Sequence, residues 1–202
     1  MTAAIILCLA SKRIAGGGHT TVSPCPPTGT TGATTLYAAS AFDPQAYDGW
    51  PGGGSPDSSV GIENAYGPPD AISWTASVAP EPENPFDAAA GFGLDAYAPE
   101  YPACAQVITG GTIEIIFTDL SGAGGSLVGA ALLIDDGDTG VYLGSTSGTG
   151  AQTITVPISA AWAQQIADGT SPGIVLNFYR DGAVPTVADI DAIVVTLDWE
   201  MA

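Results

Sequence analysis

Residues 190–199 read Ile-Asp-Ala-Ile-Val-Val-Thr-Leu-Asp-Trp, and this stretch indicates the fold more clearly than any other. Side chains of an extended strand alternate between its two faces, so residues two apart lie together. One face carries Ile193, Val195 and Leu197. The other face carries Val194, Thr196 and Asp198. The stretch therefore predicts a closing β-strand that places one apolar face in a core.

Strand-like patterns also occur elsewhere in the chain. We predict strands at 112–117, 127–134, 141–143, 152–158 and 174–178, after an apolar run at 36–42. The one convincing helical segment covers residues 159–168, where Ser159 can cap the start, Trp162 and Ile166 share a face, and Gly169 ends the helix. About eight strands at this spacing are typical of an all-β sandwich.

The composition agrees with short strands joined by many turns. The 202 residues include 27 Gly and 16 Pro, which both oppose helix interiors. Hydrophobic residues make up 46% of the chain, enough for a packed core, whereas charged residues make up only 12%, about half the usual share.

The charge balance is strongly acidic. Lys12, Arg13 and Arg180 are the only lysines and arginines, against 21 acids, for a formal charge of −18. Nucleic-acid binding requires cations that replace phosphate counterions, so we expect no direct role on DNA or RNA. Attraction to anionic lipid is disfavoured for the same reason, and no membrane insertion is expected. The acids either keep the protein soluble or meet divalent cations or a basic partner.

The sequence predicts two parts, an N-terminal arm and a folded domain. Residues 1–35 form an N-terminal arm, because a run rich in Thr, Pro and Gly follows Ile14 and offers few large apolar groups. Either the chain's own domain or neighbouring subunits could hold this arm; we favour neighbouring subunits, so the arm would mediate assembly contacts. Residues 3–10 are apolar but too short to cross a bilayer. Lys12 and Arg13 follow them, whereas a secretory signal places its positive charge first, so we expect a strand or a docking arm there.

Residues 36–202 form the predicted sandwich domain, interrupted by a long loop at 80–105. Five prolines punctuate that loop: Pro80, Pro82, Pro85, Pro99 and Pro102. Proline cannot donate to a β-ladder, so we expect an irregular surface excursion, where binding surfaces are often found.

Three cysteines leave the thiol chemistry open. Cys8, Cys25 and Cys104 are too few for a disulfide framework and lack metal-site spacing. Cys25 and Cys104 both lie in Pro-rich stretches, so they are the candidate pair for a single disulfide. Three free thiols are the alternative.

The segment Glu-Asn-Ala-Tyr-Gly-Pro-Pro-Asp-Ala at 63–71 resembles a motif of galactose-binding-like, or discoidin-like, β-sandwiches. Residues 36–200 follow that family loosely, and Ala71 stands where the family usually has glycine. Modules similar to this occur in phage tail and virion proteins, in secreted lectins and beside glycosidases. The resemblance implies a jelly-roll-like β-sandwich with an extended N-terminal arm and one short helix.

The motif also has a physical interpretation. Asn64 can cap the turn, Gly67 allows a left-handed backbone, and Asp70 can accept backbone N–H bonds. This predicts a rigid corner of the sandwich. The alternative, implied by the family, is a corner close to a structural Ca²⁺.

Aromatic residues in the loop-rich half are the candidate ligand-binding groups. Aromatic faces at a loop rim can stack on sugars or protein partners, or they can cover the open end of the core. Phe92 belongs to the same group of aromatics. The predicted ligand-binding set is Trp50, Tyr66, Trp74, Tyr97 and Tyr101.

Residues Asp135, Asp136 and Asp138 are the densest carboxylate group and could supply some of the six to eight oxygens that Ca²⁺ takes. The alternative is a solvated hairpin turn at Gly137. No other cofactor is expected.

Catalysis is not expected. His19 is the only histidine and lies in the arm, which excludes a multi-histidine metal site and disfavours a Ser-His-Asp triad. Cysteine nucleophiles need electropositive surroundings, which this chain lacks.

With the resemblance, these observations predict a non-enzymatic structural or adhesion protein of a bacteriophage virion. We expect it to be oligomeric and bound to other virion proteins or to a host glycan. The alternative is a secreted, extracellular carbohydrate-binding module.

Overall fold

The computed structural model describes residues 25–42, 61–78, 86–121, 126–134, 139–179 and 186–202. The strands are β1 Thr31–Phe42, β2 Trp74–Val78, β3 Phe86–Leu94, β4 Gln106–Ser121, β5 Ser126–Ile134, β6 Thr139–Gly148, β7 Gln152–Ile158, β8 Ile174–Tyr179 and β9 Thr186–Met201. A short 3₁₀ helix covers Ile62–Ala65, and the helix α1 covers Ala160–Ala167.

All strand pairs are antiparallel, and the strands follow the order β6-β5-β8-β3-β1-β9-β4-β7, with β2 beside β9. Strand β1 connects the two halves of this nearly closed sheet. Its first part, Thr31–Tyr37, pairs with β9. Its last part, from Ala38 to Phe42, pairs with β3, and the register of this pairing shifts between Ala38 and Ser40. The result is the predicted all-β, sandwich-like fold with one short helix.

A single large core lies between the two halves. The alternating face of β9 enters it, as predicted, through Ile193, Val195 and Leu197. From the other half, Phe92 and Phe178 pack edge-to-face on Trp74, with ring centroids 5.8 and 6.3 Å away. Helix α1 packs against β4 and contributes Ala163 and Ile166 to the same core. None of the helices in the described ranges is long and apolar enough to span a bilayer.

Two expectations about the chain's organisation are wrong in part. Strand β3 occupies 86–94, inside the stretch expected to be an irregular loop, and it pairs on both sides with β1 and β8. The prolines of that stretch all lie outside 86–94, so none of them interrupts the ladder. Strand β1 begins at Thr31, so residues 31–35 belong to the sheet rather than to the arm. Residues 1–24 lie outside the described residues, and the arm's role in assembly stays a prediction.

Candidate binding groove

A groove of about 430 Å³ lies where the end of β3 meets the end of α1. Its volume falls within the range of small-molecule binding sites. Small or apolar residues such as Gly93, Ala96 and Pro172 form part of the lining. The polar part of the lining consists of Ser40, Asp95, Tyr97, Asp168 and Ser171.

The β1–β3 side of the groove is held by strand pairing. Ser40 and Gly93 are opposite each other in the ladder, and a side chain on Gly93 would collide with the Ser40 hydroxyl. The Asp95 N–H donates to the Tyr37 carbonyl oxygen at 2.9 Å, so the chain stays attached to β1 beyond the end of β3. Asp95 is exposed and forms part of the groove lining.

The helix side of the groove is formed by the C-terminal end of α1. The helix begins as predicted, because the Ser159 hydroxyl accepts from the Trp162 N–H at 3.3 Å. It ends at the cap residue Asp168, whose carboxylate accepts from the Gln164 side-chain amide at 2.8 Å. Gly169 follows with a φ of 71°, the left-handed conformation that ends helices, so the predicted termination is confirmed.

Ser171 ties this helix end to the sheet. Its hydroxyl donates to the Leu133 carbonyl oxygen on β5 at 2.5 Å, and its N–H donates to the Gln165 carbonyl oxygen at 3.1 Å. The last carbonyl groups of a helix carry a partial negative charge. Here the carbonyl oxygens of Gln164, Gln165 and Ile166 all accept backbone N–H groups from residues 168–171, so this helix end is capped.

Tyr97 closes the groove and is fixed through its hydroxyl. That hydroxyl donates to the Gln106 side-chain oxygen at 3.2 Å. Burial raises the pKa of Tyr97 above its ordinary value, and a hydrogen bond with Thr34 offsets part of that rise. The phenol thus stays protonated at neutral pH and remains a hydrogen-bond donor.

Tyr101 and Tyr66 make contacts outside the groove. Tyr101 packs edge-to-face on Trp199, with ring centroids 5.9 Å apart, and hydrogen bonding to Glu100, followed by the charge of Glu100, raises its pKa. Tyr66 is half-buried against the core, and burial, then the charge of Glu63, raises its pKa. Of the members of the predicted ligand-binding set that the structure describes, only Tyr97 lines the groove.

Trp74 requires a correction. It is 1% exposed and packed on Phe92 and Phe178, so its ring faces are part of the core and are not presented to a ligand at the surface. Phe92, at 0% exposure, is likewise a core residue. The indole of Trp74 is buried because strand β2 pairs with β9 and turns this residue inward. Trp50 lies outside the described residues.

The predicted calcium ligands Asp135, Asp136 and Asp138 also lie outside the described residues, and the Ca²⁺ site stays a prediction. Within the described ranges, no group of three or more His, Cys, Asp or Glu side chains is arranged to hold a metal ion.

Cys25 and Cys104 form a disulfide, which is the pair singled out from the sequence, with Cα atoms 5.7 Å apart. Cys104 ends the loop that contains Tyr97 and Tyr101. The disulfide therefore joins the segment before β1 to the loop that closes the groove.

The segment 63–71 is a compact corner that contacts β1. The Gly67 N–H donates to the Ala38 carbonyl oxygen at 3.0 Å, and Gly67 has the predicted left-handed backbone, with a φ of 82°. The Asp70 carboxylate accepts from the Ile72 N–H at 2.8 Å, as expected for its turn role. The Asn64 side-chain amide donates to the Ser73 carbonyl oxygen at 3.3 Å.

Asp191 holds this corner in place, a role that the sequence analysis missed. Its Oδ1 accepts from the backbone N–H groups of Asp70 and Ala71, both at 3.1 Å. Asp191 is 6% exposed and is the only buried charged residue in the described part of the chain. The sequence indicated this role only in that Asp191 is an acidic residue inside an otherwise apolar strand.

The groove carboxylates Asp95 and Asp168 were also missed. They lie far apart in the sequence and line the same groove only because the ends of β3 and α1 converge, so no local pattern marks them. In comparisons with known proteins, no protein-family model matches this chain and no curated protein matches it in sequence.

Proposed function

We propose that this chain is a non-enzymatic structural and adhesion component of a bacteriophage virion, associated with the tail tip or a fibre, with head decoration as the second placement. The observation that carries the proposal is the corner at 63–71. Its sequence resembles the corner of galactose-binding-like sandwiches found in virion proteins, and its polar side chains are engaged in holding the turn. Because these side chains hold the turn, the corner supports a scaffold role rather than a catalytic one.

Two further features support adhesion and assembly. The groove offers a shaped surface of ligand size on an otherwise strand-built frame. The segment before β1 is fastened by the disulfide and by pairing of Gly29 and Thr30 with Met201, so anything that residues 1–24 bind would be coupled firmly to the sandwich.

The mass of the native species containing this chain tests the proposal. After gentle extraction from the source, we expect the chain in a particle of megadalton size, together with other virion proteins. A free monomer would contradict the virion proposal.

A secreted carbohydrate-binding module is the second candidate, and the groove favours it. Tyr97 lies there beside carboxylate and hydroxyl groups, a combination that can contact both the apolar face and the hydroxyls of a sugar. A disulfide is also typical of extracellular proteins. A glycan screen with Asp95→Asn as the matched variant tests it: a glycan that binds the native chain and not the variant would support this candidate.

A further inference from the structure

Strand β6 lies at the edge of the sheet and pairs on one side only. It ends the strand order, and among the described residues β5 is its only ladder partner. Strand β7 contacts β6 through side chains instead: a side chain on Gly144 would touch Val156 and Ile154 of β7. The backbone edge of β6 that faces away from β5 is therefore open within the described part of the chain.

This edge has little of the protection that natural sheets use against pairing with another chain, which is charge, proline or a bulge. Strand β6 contains no charged residue and no proline. Its one irregularity is a shift of register with β5, and it continues as a single strand on both sides of that shift. Near its end, the Gln152 side-chain amide donates to the Ser147 carbonyl oxygen at 3.1 Å. The open part of the edge is thus 139–146, with Tyr142 close to its centre.

The chain around this edge is uncharged, although the whole protein is strongly acidic. No residue from Thr139 to Ala167 is charged, a stretch that includes β6, β7 and α1, and neither is any residue of β5. The formal charge of −18 therefore comes from other parts of the chain. Tyr142 is 60% exposed, more than any other large hydrophobic residue in the described ranges. Because copies of an acidic protein repel each other, they approach most easily at a neutral surface of this kind.

The other strands with a single ladder partner are less suitable for self-association. Strand β7 contains Pro157, which has no N–H to donate to a further strand. Strand β2 places Thr75 opposite Asp189, and the Thr75 hydroxyl donates to that carboxylate at 2.6 Å. On its other side, Asp189 faces Asp119 of β4. Two copies that met at β2 would bring these carboxylates closer together, which is unfavourable.

We propose that β6 is the surface through which two copies of this chain associate, with their β6 strands paired antiparallel about a twofold axis close to Tyr142. Such a contact uses the same surface on both copies. Asp135, Asp136 and Asp138 immediately precede β6 in the sequence. Antiparallel pairing puts the acidic stretches of the two copies at opposite ends of the contact, whereas parallel pairing would bring them together. The inference rests on the proposed virion function and deepens it, because it names a surface through which copies meet.

Sedimentation velocity of the disulfide-intact full chain measures this association. One pair of edge strands is a small interface, so we expect a weak dimer with a Kd on the order of 0.1 mM. Salt screens the repulsion between two acidic copies, so the dimer should tighten by about threefold or more between roughly 0.05 and 0.5 M NaCl. Amide hydrogen exchange at low and high protein concentration locates the contact. The amides at 139–146 should exchange more slowly at the higher concentration.

Substitutions at Tyr142 test the twofold axis. Tyr142→Glu and Tyr142→Lys each bring two like charges together across the axis, so both should weaken the dimer by about fivefold or more. The two substitutions change the net charge in opposite directions, so a shared effect cannot come from net charge. Ile72→Glu and Ile72→Lys are the controls, because Ile72 is 57% exposed and lies outside the strands. They should alter the Kd by less than about twofold.

Any of four results would overturn the inference. The first is a monomer at about 1 mM protein. The second is a dimer without slower exchange at 139–146, which would mean that copies meet elsewhere, for example through residues 1–24. The third is slow exchange there at every concentration, which would mean that one copy covers its own β6. The fourth is an equal effect of the Tyr142 and Ile72 variants. None of these measurements uses the native particle, whose mass tests the virion proposal, so the two failures are distinguishable.

Discussion

Ala71 has a φ of 66°, and it is the only residue other than glycine in the described part of the chain with a left-handed backbone. The conformation brings the N–H groups of Asp70 and Ala71 onto the same carboxylate oxygen of Asp191. An alanine Cβ in this region clashes with the neighbouring carbonyl oxygen at a cost of about 1–2 kcal/mol. The corner therefore retains strain that a glycine would relieve.

We predict that Ala71→Gly raises the free energy of unfolding by about 0.5–1 kcal/mol, because relief of the strain exceeds the entropy that glycine adds to the unfolded chain. Chemical denaturation measures the change. The same substitution at the exposed helical residue Ala161 is the control and should lower stability by about 1 kcal/mol. Destabilisation by both substitutions would show that the corner is not strained at Ala71.

Single residues in this corner were predictable when their role is local. Gly67 and Asp70 act on their own turn, so residue type and spacing were sufficient to assign them. Asp191 acts on backbone groups about 120 residues away in the sequence. No pattern in a single sequence reports such a pairing, which depends on where β9 lies relative to the corner.

At the scale of elements, strands with alternating or β-branched residues were predicted well. Strand β7 has the predicted bounds, and α1 has its predicted cap and end. Strand β3 was missed because Ala-Ala-Ala-Gly-Phe-Gly has low strand propensity. Its place is determined by packing: the ring of Phe42 on β1 covers Gly91, where a side chain would collide with it. Tertiary contact overrides local propensity there.

Predicting the groove from the sequence would have required the same kind of information about contacts between distant residues. Tyr97 could be named from the sequence because aromatic residues in loops are frequent binding groups. Its carboxylate neighbours became visible only when the end of β3 and the end of α1 were placed side by side. The sequence predicted the kind of residue at this site, and the fold determined which residues meet.

Asp191 lies at a junction of elements. Next to it, Ile190 of β9 pairs with β2, and from Val194 onward β9 pairs with β1 on the same edge. We predict that Asp191→Ala lowers the free energy of unfolding by about 2 kcal/mol, because two backbone donors lose a charged acceptor. Thermal and denaturant unfolding measure the loss.

The matched control for this junction is Asp198→Ala on the same strand. Asp198 is exposed, so its removal should change stability by no more than about 0.5 kcal/mol. Equal losses in the two variants would mean that the Asp191 carboxylate does not hold the corner.

At the scale of the whole molecule, strong acidity opposes a compact fold. The formal charge of −18 produces self-repulsion, and no lysine or arginine within the described ranges offsets it. The fold is stabilised against this repulsion by one large apolar core and by a covalent link between residues 79 apart in the sequence. The disulfide restrains the unfolded chain without adding charge.

Removing the disulfide should therefore have a large effect. Closing a loop of this length reduces the entropy of the unfolded chain, and we predict that Cys25→Ser with Cys104→Ser lowers the free energy of unfolding by about 4 kcal/mol. Guanidinium denaturation measures the change, and the native chain under reducing conditions is the control, because it should unfold at the same denaturant concentration as the double variant. A double variant within about 1 kcal/mol of the oxidised native chain would show that the strand pairing of Gly29 and Thr30 with Met201 alone holds the segment before β1.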